Sequence, residues 1–148
     1  MSLTEYKKKR KLKQSKEPKA EIKKSSPKYI FVIHEHHASH LHWDLRLEMD
    51  GVLKSWAIPK VPPEKKGTKR LAIEVEDHPL EYAEFHGTIP ENNYGAGEVK
   101  IWDKGKYELT KKYSNRIIFE LYGRKLKGTY CLVKANFKNK KSWLFFKI

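Results

Sequence analysis

Five of the seven histidines in this chain lie between His34 and His42, and the cluster runs into a strictly alternating segment. From Leu41 to Glu48 apolar and polar residues alternate, and in a β-strand such alternation sends successive side chains to opposite faces. The polar face would carry, in order, His42, Asp44, Arg46 and Glu48. Imidazole and carboxylate groups can bind a divalent metal ion, and a guanidinium beside them can bind a phosphate. The alternating strand is therefore the first candidate for a chemical site.

A metal site built on His42 and Asp44 needs further ligands. His34 and His36 share a face if the strand that carries them continues, and His37 then points the other way. A set of two ring nitrogens and one carboxylate oxygen suits Mn²⁺, Zn²⁺ or Fe²⁺. His36 lies nearby in the sequence and is a candidate for the second histidine of such a site.

The residues leave three interpretations of the cluster open. The first is a metal site that acts on phosphate, in which Arg46 binds the anion and His78 protonates a leaving oxygen or hydrogen-bonds the phosphate. The second is the 2-His-1-carboxylate site of an iron oxygenase, which the basic flanks and Arg46 make less favourable. The third is a partly exposed strand whose histidines only bond to neighbouring carboxylates.

The net charge of +14 is unevenly distributed along the chain. Residues 1–28 carry a net charge of +8, residues 29–103 carry −5, and residues 104–148 carry +11. Basic ends around an acidic middle are typical of a protein that holds a polyanion on either side of a carboxylate-bearing site. A lysine-rich solvated surface is the alternative explanation.

Length and composition limit the class of protein. A chain of 148 residues is long enough for one domain with a real core. No apolar run approaches the roughly 20 residues that span a bilayer, and the Lys-rich start shows no apolar secretory segment. The single cysteine, Cys131, excludes an internal disulfide. These features predict a soluble, cytoplasmic protein.

The pattern of strands and turns predicts a mainly β protein. Residues 1–28 have the composition of a basic, partly mobile arm, and residues 29–148 form the predicted domain. An Asp50-Gly51 turn between two strand-like runs predicts a type I′ hairpin. Pairing outward from this turn places three pairs of residues opposite one another: Leu45 with Trp56, Trp43 with Ile58, and Arg46 with Ser55.

Further short strands follow the hairpin. They are predicted around Leu71–Val75, at Glu98–Trp102, Lys106–Leu109, Ile117–Leu121, Thr129–Lys134 and Trp143–Ile148, with a turn-rich loop from Gly87 to Gly97. Many short strands separated by regular turn signals predict a compact antiparallel β-barrel or a sandwich. We expect the barrel.

Three stretches of the chain together resemble a known family. They are SHLHWDLRLEMDGVLKSWAIPK, KRLAIEVEDHPLEY and GTIPENNYGAGEVKIWDKGKYE. They closely resemble the 3′-phosphoesterase domain of bacterial and archaeal DNA ligase D, over about residues 29–148. The resemblance implies a compact β-barrel enzyme that heals DNA 3′ ends in non-homologous end joining. Such an enzyme removes a 3′-terminal ribonucleotide and then the 3′-phosphate, leaving a 3′-hydroxyl for ligation.

The resemblance also implies the site residues and the partners. The metal ligands fall on His36, His42 and Asp44, with Mn²⁺ as the expected metal and Zn²⁺ or Co²⁺ as alternatives at the same site. The residues with catalytic and phosphate-binding roles fall on Arg46, Lys60, Arg70, His78 and Tyr82. The expected partners are primer-template or duplex DNA 3′ ends, including 3′-ribonucleotide and 3′-phosphate ends.

Several features of this chain qualify the resemblance. His34-Glu35 stands where the family usually has Gln-Lys, and Glu35 is a candidate for an extra ligand. Lys11 replaces an acid in the arm, so we expect weaker ribonucleotide removal than phosphate removal. The length predicts a stand-alone version that acts with a separate ligase, polymerase and end-binding protein, although an excised domain would look the same. The different-class alternative is a non-catalytic nucleic-acid-binding barrel with a structural metal.

Overall fold

The computed structural model describes residues 29–135 and 141–148. The predicted basic arm, residues 1–28, lies outside the described residues. One short 3-10 helix, Leu80–Glu84, and nine strands make up the described regular structure. The strands are β1 (Tyr29–His37), β2 (Leu41–Met49), β3 (Val52–Ile58), β4 (Lys69–His78), β5 (Gly87–Ile89), β6 (Gly97–Tyr113), β7 (Arg116–Tyr122), β8 (Lys127–Lys134) and β9 (Ser142–Lys147).

Eight of the strands close into an antiparallel barrel. The order around the ring is β1-β2-β3-β4-β9-β8-β7-β6, and β6 returns to pair with β1. The short strand β5 lies outside the ring and pairs with the first part of β6. Closure leaves no unpaired edge within the ring, which gives a rigid support for side chains on either face. The predicted antiparallel barrel is confirmed.

Apolar residues fill the barrel and also form a small cluster on its outer surface. The interior includes Phe31 and Ile33 of β1 together with Leu45 and Leu47 of β2. The outer cluster is formed by Val32, Leu53 and Ala83, with partly buried Ile30, Leu80, Tyr82 and Ile101 packed against it. The 3-10 helix thus packs on the outer face of β1 and β3. It covers part of the face to which the polar residues of β2 point.

The predicted hairpin is confirmed. Asp50 and Gly51 both have positive φ, 56° and 82°, as a type I′ turn requires. The pairs predicted across it are present, with Trp43 opposite Ile58, Leu45 opposite Trp56 and Arg46 opposite Ser55.

Strand β6 differs from its sequence prediction. Two strands were expected, but residues 97–113 form one continuous strand that pairs with β1 along its first part and with β7 along its last. Gly105 lies within it, and a Cβ there would fall 2.3 Å from the Tyr122 carbonyl oxygen. This glycine therefore permits a close approach of two chain segments and does not end a strand. The predicted Gly87–Gly97 loop likewise contains the short strand β5.

A register shift between β3 and β4 decides which residues of β4 face the site. Ser55 pairs with Val75, whereas Leu53 pairs with His78, so β4 contains one extra residue at this point. His78 consequently lies on the outer face. Arg70 lies on the same face of the strand as Ala72, which is in the barrel interior. Strict alternation along the sequence from Arg70 to His78 predicts that both share a face. This prediction is wrong, because the alternation does not continue through the bulge.

None of the helical structure in the described part of the chain is long and apolar enough to cross a membrane.

Candidate active site

A cavity of about 440 Å³ lies on the outer face of the barrel, between the strands and the segments that pack over them. Strands β1 to β4, the 3-10 helix and the loop before β6 all contribute to it. The polar lining residues are His36, Ser39, His42, Asp44, Arg46, Glu76, His78, Tyr82 and Tyr94. The predicted alternation of β2 is thus correct, since His42, Asp44 and Arg46 open on the cavity, whereas Leu45 and Leu47 enter the core.

Three side chains in the cavity form a potential metal-binding group. One ligand atom from each of His36, His42 and Asp44 lies within 4.8 Å of the other two. His42 Nε2 lies 3.2 Å from Asp44 Oδ2, and His36 Nδ1 lies 3.7 Å from the same oxygen. Antiparallel pairing of β1 and β2 produces this group, because His36 is directly opposite His42.

Backbone carbonyls orient both imidazoles toward Asp44. His36 Nε2 lies 2.7 Å from the Gly95 carbonyl oxygen, and His42 Nδ1 lies 3.0 Å from that of His40. Because a carbonyl can only accept a hydrogen bond, each ring carries its proton on the nitrogen that faces the carbonyl. The opposite nitrogens, His36 Nδ1 and His42 Nε2, then face the carboxylate, and each can bind either a proton or a metal ion. Such a convergence of three electron donors fits a cation.

The electrostatics of the group agree with this conclusion. Burial by itself raises the pKa of a carboxyl group, but the imidazoles of His36 and His42 and the charge of Arg46 keep the pKa of Asp44 well below its ordinary range. The hydrogen bond to Asp44 raises the pKa of His42 more than burial lowers it. The carboxylate is thus charged, and a proton on His42 occupies the space that a metal ion would take.

Arg46 is held rigidly beside the metal group. Arg46 is only 4% exposed, and its Nε donates a hydrogen bond to His34 Nδ1 at 3.1 Å. One terminal nitrogen, Nη1, donates to Ser55 Oγ at 2.8 Å, and the other, Nη2, lies 3.4 Å from Asp44 Oδ2. The guanidinium carbon also lies 4.9 Å from the centre of the Tyr82 ring. These contacts fix a cation in a position that can bind an anionic ligand.

His34 acts on Arg46 from beneath the site. The residue is completely buried, and its Nε2 lies 2.9 Å from the Phe85 carbonyl oxygen. Burial of the ring, followed by the charge of Arg46, lowers the pKa of His34 to about 4. The neutral ring therefore donates from Nε2 to Phe85 and accepts at Nδ1 from Arg46. The family resemblance placed the metal ligands on other residues, and the position of His34 as a support for Arg46 agrees with that.

His78 and Tyr82 complete the polar wall of the cavity. His78 Nδ1 lies 3.2 Å from Arg46 Nη1 and 3.1 Å from the Glu76 carbonyl oxygen, so Nε2 remains for a ligand. Burial and the charge of Arg46 lower the pKa of His78, and burial raises that of Tyr82. Both side chains are consequently neutral near pH 7, so the Tyr82 hydroxyl can donate a hydrogen bond and His78 can exchange a proton.

The other residues named from the sequence lie elsewhere. Arg70 Nε donates to the Val61 carbonyl oxygen at 2.8 Å, and neither Arg70 nor Lys60 lines the cavity. Their catalytic roles stay predictions. The Glu35 carboxylate lies 2.6 Å from His37 Nε2 and is not part of the metal-binding group, so it is not the extra ligand considered above.

Sequence reasoning missed the part that the segment before β6 plays. Tyr94 and Gly95 line the cavity, and the Gly95 carbonyl orients a metal ligand 59 residues away in the chain. Glu76 lines the cavity as well. The turn-rich composition of residues 87–97 indicated only a loop, and nothing local in the sequence relates that loop to His36.

Comparison with known proteins gives a consistent assignment. Residues 34–134 match the family model of the DNA ligase D 3′-phosphoesterase domain. The multifunctional non-homologous end joining protein LigD of Mycolicibacterium smegmatis is 46% identical over 96% of this chain and 20% of its own length. The protein of that name from Pseudomonas aeruginosa is 43% identical over 97% of this chain and 18% of its own length.

A third relative, the LigD of Mycobacterium bovis, is 50% identical over 72% of this chain and 14% of its own length. The chain thus spans about a fifth or less of the length of these curated relatives. The family model covers most of the residues that build the cavity, from His34 on β1 to the segment before β6. The chain belongs to the family of DNA ligase D 3′-phosphoesterase domains.

Proposed function

We propose that this protein is a metal-dependent phosphoesterase that heals DNA 3′ ends for non-homologous end joining. It cleaves a 3′-terminal ribonucleotide so that the nucleoside departs and a 3′-phosphate remains, and then removes the phosphate to leave a 3′-hydroxyl. One observation carries the proposal: the cavity places a metal-binding group, a fixed guanidinium and a neutral imidazole together. Family membership supports the reaction class, and the Arg46 position supports phosphate as the group that is bound.

The metal is the first element of the proposal. His36, His42 and Asp44 would hold Mn²⁺, and the same donor set also accepts Zn²⁺ or Co²⁺. A bound divalent cation withdraws charge from a phosphate oxygen and acidifies coordinated water. The carbonyls of Gly95 and His40 keep both rings in the tautomer that this role requires.

Arg46 supplies the second element, which is charge stabilisation. Negative charge on the phosphate oxygens increases as water adds to phosphorus and the ester bond breaks. The guanidinium is already fixed by His34 and Ser55, so little reorganisation is needed when the anion binds. A flexible lysine at this position would lack this fixed set of donors.

His78 supplies the third element, which is proton transfer. In phosphate removal the departing group is the 3′-oxygen of the DNA, and in ribonucleotide removal it is the 5′-oxygen of the terminal nucleoside. Each leaving oxygen must gain a proton, while the attacking water loses one. His78 lines the cavity beside Arg46, and its imidazole can carry out or assist this transfer.

The surrounding charge supports a DNA substrate. Residues 104–148 carry a net charge of +11, which would attract the phosphate backbone beyond the cleaved end. Affinity should accordingly fall steeply with salt concentration. The ligation that follows healing needs a DNA ligase, and we infer that a polymerase and an end-binding protein take part in the same cytoplasmic pathway.

A direct experiment tests the proposal. A primer–template with one 3′-ribonucleotide, and another with a 3′-phosphate, are incubated with the protein and Mn²⁺ or with EDTA. Shortened and dephosphorylated primers are expected with Mn²⁺ only. Asp44→Asn should abolish both products and Mn²⁺ binding measured by calorimetry.

Asp77→Asn is the matched control for Asp44→Asn. Asp77 is a partly exposed carboxylate whose Oδ2 lies 3.4 Å from Lys54 Nζ, outside the metal-binding group, and its loss should leave both activities unchanged. Unchanged primers under every divalent metal, together with tight DNA binding, would instead support a non-catalytic barrel. Activity retained by Asp44→Asn would show that the metal assignment is wrong.

A further inference from the structure

Tyr94 projects from the rim of the cavity into solvent. The residue is 89% exposed, whereas the next most exposed large hydrophobic residue of the described chain, Tyr113, is 48% exposed. Single exposed hydrophobic residues are common on protein surfaces. Tyr94 is different because it lines the same cavity as Asp44 and Arg46. An aromatic ring is thus available for contact next to a site that binds an anion.

The backbone that carries Tyr94 is fixed to the metal-binding group. The following residue, Gly95, has a φ of +77° and accepts a hydrogen bond from His36 Nε2 through its carbonyl oxygen. Two turn hydrogen bonds, from Asn93 N to Pro90 O and from Ala96 N to Asn93 O, close the loop on either side. The base of the Tyr94 side chain therefore has a defined position relative to the metal ligands.

The chemistry of the cavity changes from its floor to its rim. The floor holds the cation Arg46 and the metal-binding group, which suit a phosphate, while the rim presents the Tyr94 ring. A nucleotide has the same two parts, since its phosphate is anionic and its base is a flat aromatic group. Bases stack on aromatic side chains with little sequence preference, because every base has a π-face.

We propose that the Tyr94 ring is the stacking platform for the terminal base of the DNA 3′ end whose phosphate is bound at Arg46. This inference rests on the proposed function and adds a subsite to it. Stacking requires the ring and not the phenol oxygen. The platform would hold the last nucleotide out of the duplex and present its phosphate to His78, whichever base the nucleotide carries.

A kinetic cycle tests the platform. Wild-type protein, Tyr94→Ala and Tyr94→Phe are compared on two 3′-phosphate primers, one with a normal terminal base and one with an abasic terminal residue. On the normal primer Tyr94→Ala should lower kcat/KM on the order of 10- to 100-fold, mainly through KM, and Tyr94→Phe should match the wild type. On the abasic primer all three proteins should be nearly equal.

Two controls separate stacking from loop structure. Tyr113→Ala removes an exposed tyrosine that does not line the cavity and should leave both substrates unaffected. Mn²⁺ affinity should be the same in Tyr94→Ala and the wild type, because the bond from His36 is made to the Gly95 backbone. An equal loss on normal and abasic primers, or no loss on the normal primer, would overturn the platform.

A binding measurement keeps the inference separate from the catalytic proposal. A primer with 2-aminopurine as its 3′-terminal base is titrated with each protein in EDTA, and stacking on the tyrosine should quench its fluorescence. Equal quenching by wild type and Tyr94→Ala would overturn the platform even if the wild type hydrolyses 3′-phosphate. Quenching lost only in Tyr94→Ala would support the platform even if no hydrolysis is seen.

Discussion

Replacing His34 by leucine should damage both the stability and the activity of the protein. The change removes the partner of the buried Arg46 Nε–H and of the part-buried Phe85 carbonyl oxygen, which His34 now contacts at 3.1 and 2.9 Å. A buried unsatisfied polar group costs about 1–3 kcal/mol, and more when the group is charged. We therefore expect the free energy of unfolding to fall by roughly 3–5 kcal/mol. Looser positioning of the guanidinium should lower kcat on the order of 10- to 100-fold.

The conservative variant His34→Gln separates hydrogen bonding from mere volume. A glutamine side chain can accept from Arg46 through its oxygen and donate to Phe85 through its nitrogen. It should keep stability within about 1 kcal/mol of the wild type and most of the activity, whereas His34→Leu should lose both. His86→Gln, at an exposed histidine outside the cavity, is the matched control.

Urea unfolding and steady-state removal of a 3′-phosphate are the two assays for these variants. Activity is compared without urea, at a pH where circular dichroism shows that each variant is folded. The reasoning would be refuted if folded His34→Leu turned over substrate as fast as the wild type. It would also be refuted if His34→Gln were as damaged as His34→Leu, because the side chain would then act through its shape alone.

Three further predictions concern Arg46, the titration of His34, and Asp103. Arg46→Lys should lower kcat/KM for 3′-phosphate removal on the order of 100-fold, since one ammonium cannot replace donors directed at His34, Ser55 and the phosphate; activity near wild type would contradict this. The pKa of His34 is about 4 in the fold and 6.5 ordinarily, so the unfolded chain takes up this proton first and stability is lost as pH falls from 6.5 to 4. In EDTA, wild-type protein should lose about 2 kcal/mol more than His34→Gln between pH 7 and pH 5 in urea unfolding, and equal losses would contradict the buried neutral ring. Asp103→Ala should cost roughly 3–4 kcal/mol of unfolding free energy, because the buried carboxylate accepts hydrogen bonds from four backbone N–H groups; a urea midpoint close to wild type would refute this.

The sequence alone determined the strand at the centre of the site. Strict alternation from Leu41 to Glu48 and the Asp50-Gly51 turn are local signals, and together they define the β2–β3 hairpin, its register and the polar face of β2. They also bring Arg46 opposite Ser55, the hydroxyl to which it donates. Alternation along the chain was sufficient to predict the register and the polar face, because every residue involved lies within one hairpin. Beyond this hairpin, His36 and His78 were also candidates from the residues themselves, whereas Lys60, Arg70 and Tyr82 came from the family resemblance and not from the pattern.

Only the tertiary structure decided how remote segments complete the site. The bulge in β4 turns His78 toward Arg46 on the outer face and leaves Arg70 on the opposite face of the strand. Strict alternation does not predict this difference. The carbonyl that orients His36 comes from a loop 59 residues away, and the one that holds His34 comes from a position 51 residues away. These contacts depend on barrel closure and on the packing of the 3-10 helix over the outer face, so their energy is absent from any local stretch of chain. Sequence therefore specified the metal and phosphate side chains of β2, and the fold specified their tautomers, their supports and the rim around them.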